Sequence, residues 1–318
     1  MGKRFDPLLR DIELPCQAMF YPAGFPLHLS TNSHHVLEAA NESWRYWERE
    51  FDVEPITFRV VIGPEGDLAG EPVFRMQEHL LHVVSDAHNF GAADTRALFA
   101  ALHLSEKTAA DHGWLRWFYL EAMAYFLLSQ RYVAAVHAAC VARDGAGLML
   151  CGKSSSGKST LAFACARAGW TYVADDCIWL LPESTDRIAI GKPHQVRFRH
   201  DAPLLFPELA GYVARTRPNG KLSIEVPTSL FPGMATAKRA PIAGLVFLDR
   251  ENAGAPHAEP MASQDAVDLL LRDMPSYGPE VNAMHERTLG ALRDVPAWRM
   301  RYRTVEEGVG LLAGIGRG

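Results

Sequence analysis

Gly152-Lys153-Ser154-Ser155-Ser156-Gly157-Lys158-Ser159 spells GxxxxGK[ST]. Average residue usage produces that pattern by accident in about one chain in a hundred of this length. Its surroundings sharpen the reading. The apolar run GLMLC (147–151) precedes the loop, and STLAFACARAGW (159–170), apolar at helical spacing, follows it to a stop at Gly169. A strand that passes through a glycine-bearing turn into a helix makes a phosphate cradle. The glycines let the backbone curl with its N–H groups inward, and the helix N-terminus adds partial positive charge. In such a Walker A loop Lys158 reaches the β- and γ-phosphates and Ser159 can ligate Mg²⁺. Residues 152–159, with Thr160 behind them, are therefore the expected nucleotide contacts, and the fold class is α/β.

A magnesium–nucleotide site also needs a carboxylate at the end of a neighbouring strand. TYVADD (171–176) supplies it, as an apolar run ending in Asp175-Asp176. Two adjacent carboxylates at a strand end are costly unless a metal, a proton or a partner relieves them. One can hold Mg²⁺, directly or through water, while the other takes the proton of an acceptor hydroxyl. His137 lies in AAVHAAC (134–140), an apolar run preceding the phosphate-loop strand. If the strands are neighbours, it can hydrogen-bond Asp175 and orient it.

Around this centre the 318 residues, at about 150 per domain, suggest two domains, or one domain with a large insertion. Upstream, STNSHHVLEAANESWRYWEREF (30–51) reads as a helix with Ser30 or Thr31 as its cap. ITFRVVIGPEGD (56–67) reads as strand and turn, and EPVFRMQEHLLHVVSD (71–86) as a hairpin-like stretch. WLRWFYLEAMAYFLLSQR (114–131) is a strongly apolar helix with Trp117, Leu120, Ala124, Leu127 and Leu128 on one face, its aromatic content read as core or interdomain contact. VAAVHAACVARDG (133–145) and GLMLCG (147–152) are β-like and joined by a tight turn at Asp144-Gly145. TYVADDCIWLLP (171–182), RIAIGKPHQVRFR (187–199), KLSIEVPTSLF (221–231) and APIAGLVFLDR (240–250) read as further strands. SQDAVDLLLRDM (263–274) and VEEGVGLLAGIG (305–316) read as helices. The expected division is an α+β domain over 1–110 and a phosphate-loop domain over 111–318.

Composition narrows the classes. Apolar residues make 48% and charged residues 22%, which excludes global disorder, and the net charge of −5 provides no general attraction to nucleic acid or anionic membrane. Five dispersed cysteines without a CxxC pair point to reduced thiols in the cytoplasm rather than to a zinc ribbon or a disulfide framework. Residues 1–15 lack the apolar stretch of a signal peptide. The long uncharged run 14–37 contains Pro15, Pro22 and Pro26 and makes a poor membrane helix. His34 and His35 are adjacent on a helix and do not share a face, so a metal role is not expected of the pair.

Taken together, His137, the loop 152–159 and Asp175-Asp176 resemble the HPr kinase/phosphorylase family in order and interval, over about residues 130–250. The likeness is to its HPr kinase-related branch. Gly169-Trp170 before the acidic pair, the basic strand GKPHQVRFR and the later strand GLVFLDR are features of that branch, which is similar to lasso-peptide kinases. The resemblance implies a P-loop kinase core of the HPr kinase/phosphoenolpyruvate carboxykinase type, a mixed sheet flanked by helices. It implies Asp175 as general base, Asp176 with Ser159 at Mg²⁺, and His137 orienting Asp175, although the two aspartates could exchange roles. Arg197 and Arg199 become candidates to neutralise transferred phosphate. Thr160 stands where HPr kinases proper carry Glu, and 200–212 lacks their second glycine-rich signature. That speaks against HPr as acceptor and against phosphorylase activity.

The expected activity is ATP- and Mg²⁺-dependent transfer of a phosphoryl group to a serine hydroxyl of a small protein or peptide. The alternatives are a kinase of a small hydroxylated metabolite, or a non-catalytic nucleotide-binding module. Relatives in the family form hexamers, so a homo-oligomer is also among the expectations.

Overall fold

The computed structural model describes residues 14–182, 186–218, 220–250 and 255–315. The stretch read for a signal peptide lies almost wholly outside them. The chain divides into two compact units, one ending at Arg131 and a second built from Tyr132 onward, with Arg217–Gly220 grouped with the first. The sequence expectation set the division after residue 110.

The first unit is a seven-stranded sheet. Its strands are β1 (Cys16–Phe20), β2 (Leu27–Thr31), β3 (Ile56–Gly63), β4 (Val73–Gln77), β5 (Leu80–Val84), β6 (Phe90–Asp94) and β7 (Phe99–Ser105). The order is β1-β2-β3-β7-β6-β5-β4, with β2, β3 and β7 parallel. Helix α1 (His34–Trp44) buries Val36, Ala39, Ala40 and Trp44. It starts after Ser33 because β2 extends through Thr31, so neither Ser30 nor Thr31 is its cap. Helix α2 (Glu106–Ala110) is capped by the Ser105 side chain. The short α3 (His112–Trp114) runs through a π-helical segment, Leu115–Glu121, into α4 (Ala122–Arg131). That segment shifts the register, so Leu115, Phe118 and Tyr119 join Leu120 in the core. The run 14–37 forms two strands and a 3₁₀ turn instead of one helix. Among the described residues no helix is long and apolar enough to cross a membrane.

The second unit holds β8 (Ala134–Val136), β9 (Ala139–Arg143), β10 (Ala146–Cys151), α5 (Lys158–Arg167), β11 (Thr171–Ala174), β12 (Ile178–Leu180), β13 (Ile188–Ile190) and β14 (Gln195–Arg199). Then follow β15 (Arg215–Thr216), β16 (Leu222–Pro227), β17 (Arg239–Asp249), β18 (His257–Met261), α6 (Ser263–Asp273), α7 (Pro279–Gly290), β19 (Ala297–Arg301) and α8 (Val305–Ile315). The main sheet runs β11-β9-β10-β17-β13-β12-β8, with β19 and β18 branching from β17. Strands β14, β16 and β15 form a small separate sheet.

Two runs read as single strands are each broken. VAAVHAACVAR divides at His137-Ala138 into β8 and β9, and TYVADDCIWLL divides at Asp175–Cys177 into β11 and β12. After each break the chain joins a different part of the sheet: β11 pairs with β9, whereas β12 pairs with β8. Asp144 and Gly145, both at positive φ (53° and 83°), close the β9–β10 hairpin as expected.

β10 is buried on both faces, as a central strand should be. Leu148 and Leu150 face α5, α8 and the small sheet, while Met149 and Cys151 face α6 and the segment around Leu289 and Leu292. Phe163 of α5 meets Phe198, Phe206 and Phe231 edge-on, at centroid separations of 4.9, 4.9 and 4.8 Å. This aromatic contact binds α5 to β14 and so fixes Arg197 and Arg199 near the loop that precedes α5.

Candidate functional site

Strand direction brings the site together. β9 is antiparallel to both β10 and β11, so β10 and β11 point the same way and end at the same sheet edge. β9 starts at that edge. The loop after β10, the acidic pair after β11 and His137 just before β9 therefore converge. The strand carrying the acidic pair is not next to the phosphate-loop strand as the sequence suggested, because β9 lies between them. The double antiparallel step gives the same convergence.

The loop has the backbone a phosphate cradle requires. Gly152, Ser155 and Gly157 have φ of 141°, 74° and 95°. A Cβ on Gly157 would lie 2.5 Å from the Tyr302 hydroxyl, so only glycine fits there. Tyr302 donates to the Ser156 carbonyl at 3.2 Å and braces the loop from β19's far end. The Arg250 guanidinium lies 5.5 Å from the Tyr302 ring centre. Neither residue was singled out from sequence, since nothing local marks a tyrosine so far along the chain as a loop contact. Arg199 donates to the Ser155 hydroxyl.

Lys158 is 5% exposed. Its ammonium donates to the Gly152 and Lys153 carbonyls at 2.7 and 3.0 Å. An ammonium has three donors, so one has no protein partner among the described residues. Burial lowers the Lys158 pKa, and the charge of Asp176 opposes that. The buried Ser156 hydroxyl also has no partner among the described residues. Two buried polar groups with unmet bonding capacity in one left-handed loop fit an anionic ligand with several acceptor oxygens.

The aspartates occupy unlike environments. Asp175 is 7% exposed. Its Oδ2 accepts the Arg197 backbone N–H at 2.8 Å, and its carbonyl accepts the Ser159 hydroxyl at 3.1 Å. Burial pushes the Asp175 carboxyl up to about 6, against the lowering influence of Arg197. Tyr172, beneath it, is raised well above the usual phenol range by burial and then by the charge of Asp175. Asp176 is half exposed. Its Oδ1 lies 3.3 Å from His137 Nδ1 and its Oδ2 3.8 Å from an Arg197 guanidinium nitrogen. His137 Nδ1 also lies 2.8 Å from the Asp176 carbonyl, which makes that nitrogen the protonated one. His137 thus meets Asp176, not Asp175 as the sequence suggested. Arg197 spans both aspartates and pairs with Glu225 at 3.0 Å across the β14–β16 ladder.

The structure thus brings together Lys158, Ser159, Asp175, Asp176, His137 and Arg197, while Lys153 and Ser154 lie exposed on the loop. The Ser159 hydroxyl and the Asp176 carboxylate are the oxygens of this group suited to a hard divalent cation. All five cysteines are unpaired. Burial raises the thiol pKa values of Cys140, Cys151, Cys165 and Cys177, which disfavours the thiolate that a nucleophile needs.

No protein-family model matches the chain, and no curated protein matches it. Among solved structures, the Hpr(Ser) kinase/phosphatase from Coxiella burnetii is similar over 58% of this chain and 97% of its own, at 14% sequence identity and a TM-score of 0.33.

Proposed function

We propose that the protein is an ATP-dependent phosphotransferase that moves the γ-phosphoryl group to a serine hydroxyl of a peptide or small protein. The observation that carries this reading is the convergence, at one sheet edge, of a buried phosphate-loop lysine and two carboxylates of unlike environment. Residues 152–160 would hold the triphosphate, with Lys158 against the β- and γ-phosphates. Ser159 and Asp176 would hold Mg²⁺, which when bound neutralises charge on the phosphates.

The Asp175 carboxyl, raised to about 6, has the affinity to accept a hydroxyl proton near neutral pH. His137 positions Asp176 through its Nδ1–H. The Arg197 and Arg199 guanidiniums supply positive charge beside the loop where the transferred group would carry negative charge. The side chains of His137 and Asp176 are 53% and 48% exposed. An open acidic edge favours an acceptor presented on a polymer over a metabolite, which a closed cavity would suit better. Five unpaired cysteines fit a reducing cytoplasm.

The test is transfer of labelled γ-phosphate to serine-containing peptides and to a panel of hydroxylated metabolites. Lys158→Ala and Asp175→Asn serve as controls. Peptide labelling that Lys158→Ala abolishes and Asp175→Asn strongly reduces supports the reading. Activity unchanged in both variants removes the site, and labelling of a metabolite alone replaces the acceptor class.

A further inference from the structure

A second constellation lies wholly within the first unit. His35, Glu38 and His112 place one nitrogen or oxygen each within 4.8 Å of one another. His35 Nδ1 and His112 Nε2 are 3.4 Å apart. Glu38 Oε2 is 3.9 Å from each of these nitrogens. Two ligands on a tetrahedral ion with bonds of about 2.0–2.1 Å are separated by about 3.3–3.4 Å. The imidazole pair already has that spacing, and a small rotation of the exposed Glu38 would bring its oxygen in.

The tautomer of His112 also suits a metal. Its Nδ1 donates to Glu42 Oε1 at 2.7 Å, so the Nε2 lone pair faces His35 and Glu38. Glu42 is itself held by Arg116 at 3.0 Å. Arg116 is fixed in turn by the Ser43 hydroxyl at 2.9 Å. A carboxylate that orients a histidine and raises its basicity is the usual outer support of a metal ligand.

Helix geometry explains the alignment. His35, Glu38 and Glu42 are three and four residues apart on α1 and share one face. The Asp111 side chain caps α3 by accepting the Trp114 N–H at 2.9 Å, which sets His112 opposite that face. His34 takes no part in the group. The partner of His35 is a histidine 77 residues away in sequence. His35 also lines an open pocket with Asn32, Ser33, Ile62, Glu106 and Lys107, which leaves a path to the group.

We infer that His35, Glu38 and His112 form a Zn²⁺ site, with Glu42 as its outer support and water in the fourth position. Two imidazoles with one carboxylate are a donor set that suits Zn²⁺ and disfavours the hard cation expected beside the phosphate loop. The site stands independently of the phosphotransfer reading.

The test is calorimetric titration of the chelator-treated, nucleotide-free full chain with Zn²⁺, followed by the visible spectrum of the Co²⁺-loaded protein. One Zn²⁺ per chain is expected, with a Co²⁺ spectrum of tetrahedral intensity. His35→Ala and His112→Ala should each abolish both signals. Glu42→Gln should weaken Zn²⁺ binding by about 10–100-fold. Ser159→Ala combined with Asp176→Asn should leave binding intact, which separates the site from the phosphate loop. His35 is exposed, so His35→Ala keeps the test valid if His112→Ala disturbs folding. The inference is overturned if the chain takes up no Zn²⁺, or if uptake persists unchanged in His35→Ala.

Discussion

The Asp175 carboxylate accepts the backbone N–H of Arg197 at 2.8 Å, so a buried acid is tied to the strand that carries the guanidinium facing Asp176. The contact joins the small sheet to the acidic turn. Burial opposes ionisation of the carboxyl more strongly than the contact favours it. Burial raises its pKa from 3.8 to about 6, so the native state retains a proton that the unfolded chain has lost across that interval. Stability therefore falls as pH climbs through the interval. Asp175→Asn removes the cost and keeps an oxygen for the Arg197 N–H. The variant should be more stable than the parent above pH 6 by up to about 3 kcal/mol. The gain should vanish below 3.8, where both side chains are neutral. Thermal unfolding of the two proteins at either end of the interval checks this.

The same carboxyl should govern the pH dependence of turnover. If Asp175 accepts the hydroxyl proton, kcat rises with pH and levels off above about 6. Profiles of Asp175→Asn and Asp176→Asn separate the aspartates. Loss of the inflection in Asp175→Asn assigns the base, and its loss in Asp176→Asn alone exchanges the two roles.

Gly157→Ala should disable the loop. The added methyl would meet the Tyr302 hydroxyl at 2.5 Å in a backbone of φ 95°. A cost of about 1–3 kcal/mol in stability is expected from strain of this type. Nucleotide binding should be lost as well. Unfolding curves and nucleotide titration measure the two effects separately.

His137→Ala should lower kcat by about 10–100-fold, as misplacement of a reacting group does, while nucleotide affinity stays within a few fold. His137 touches Asp176 through Nδ1 and, among the described residues, makes no hydrogen bond or ion pair with the loop. Steady-state kinetics resolve kcat from KM. A fall confined to nucleotide affinity would contradict the positioning role.

The parts legible in the sequence were those whose meaning is local. The loop 152–159 is a contiguous motif between an apolar strand and an apolar helix, and Asp144-Gly145 is a contiguous turn. Asp175-Asp176 was visible as a strand end. What sequence did not reveal depends on pairing between distant segments. The break at His137-Ala138 follows from β8 and β9 joining different parts of the sheet, and the apolar pattern runs straight through it. The contact of His137 with Asp176 lies between the β9–β11 and β8–β12 pairings, while the Asp175 side chain is taken up by the Arg197 N–H. The π-helical segment, Leu115–Glu121, leaves an apolar pattern that reads equally well as ordinary helix. Tyr302 beneath Gly157 and His112 beside His35 come from positions far along the chain, which neither spacing nor composition connects.

The most direct measurement is calorimetric titration of the full chain with ATP, in the presence and absence of Mg²⁺, repeated with Lys158→Ala and Asp176→Asn. One loop acting with one acidic edge predicts a single nucleotide per chain, tighter with Mg²⁺. Binding should be lost in Lys158→Ala and largely insensitive to Mg²⁺ in Asp176→Asn. Absence of nucleotide binding, or binding that neither substitution alters, would contradict it.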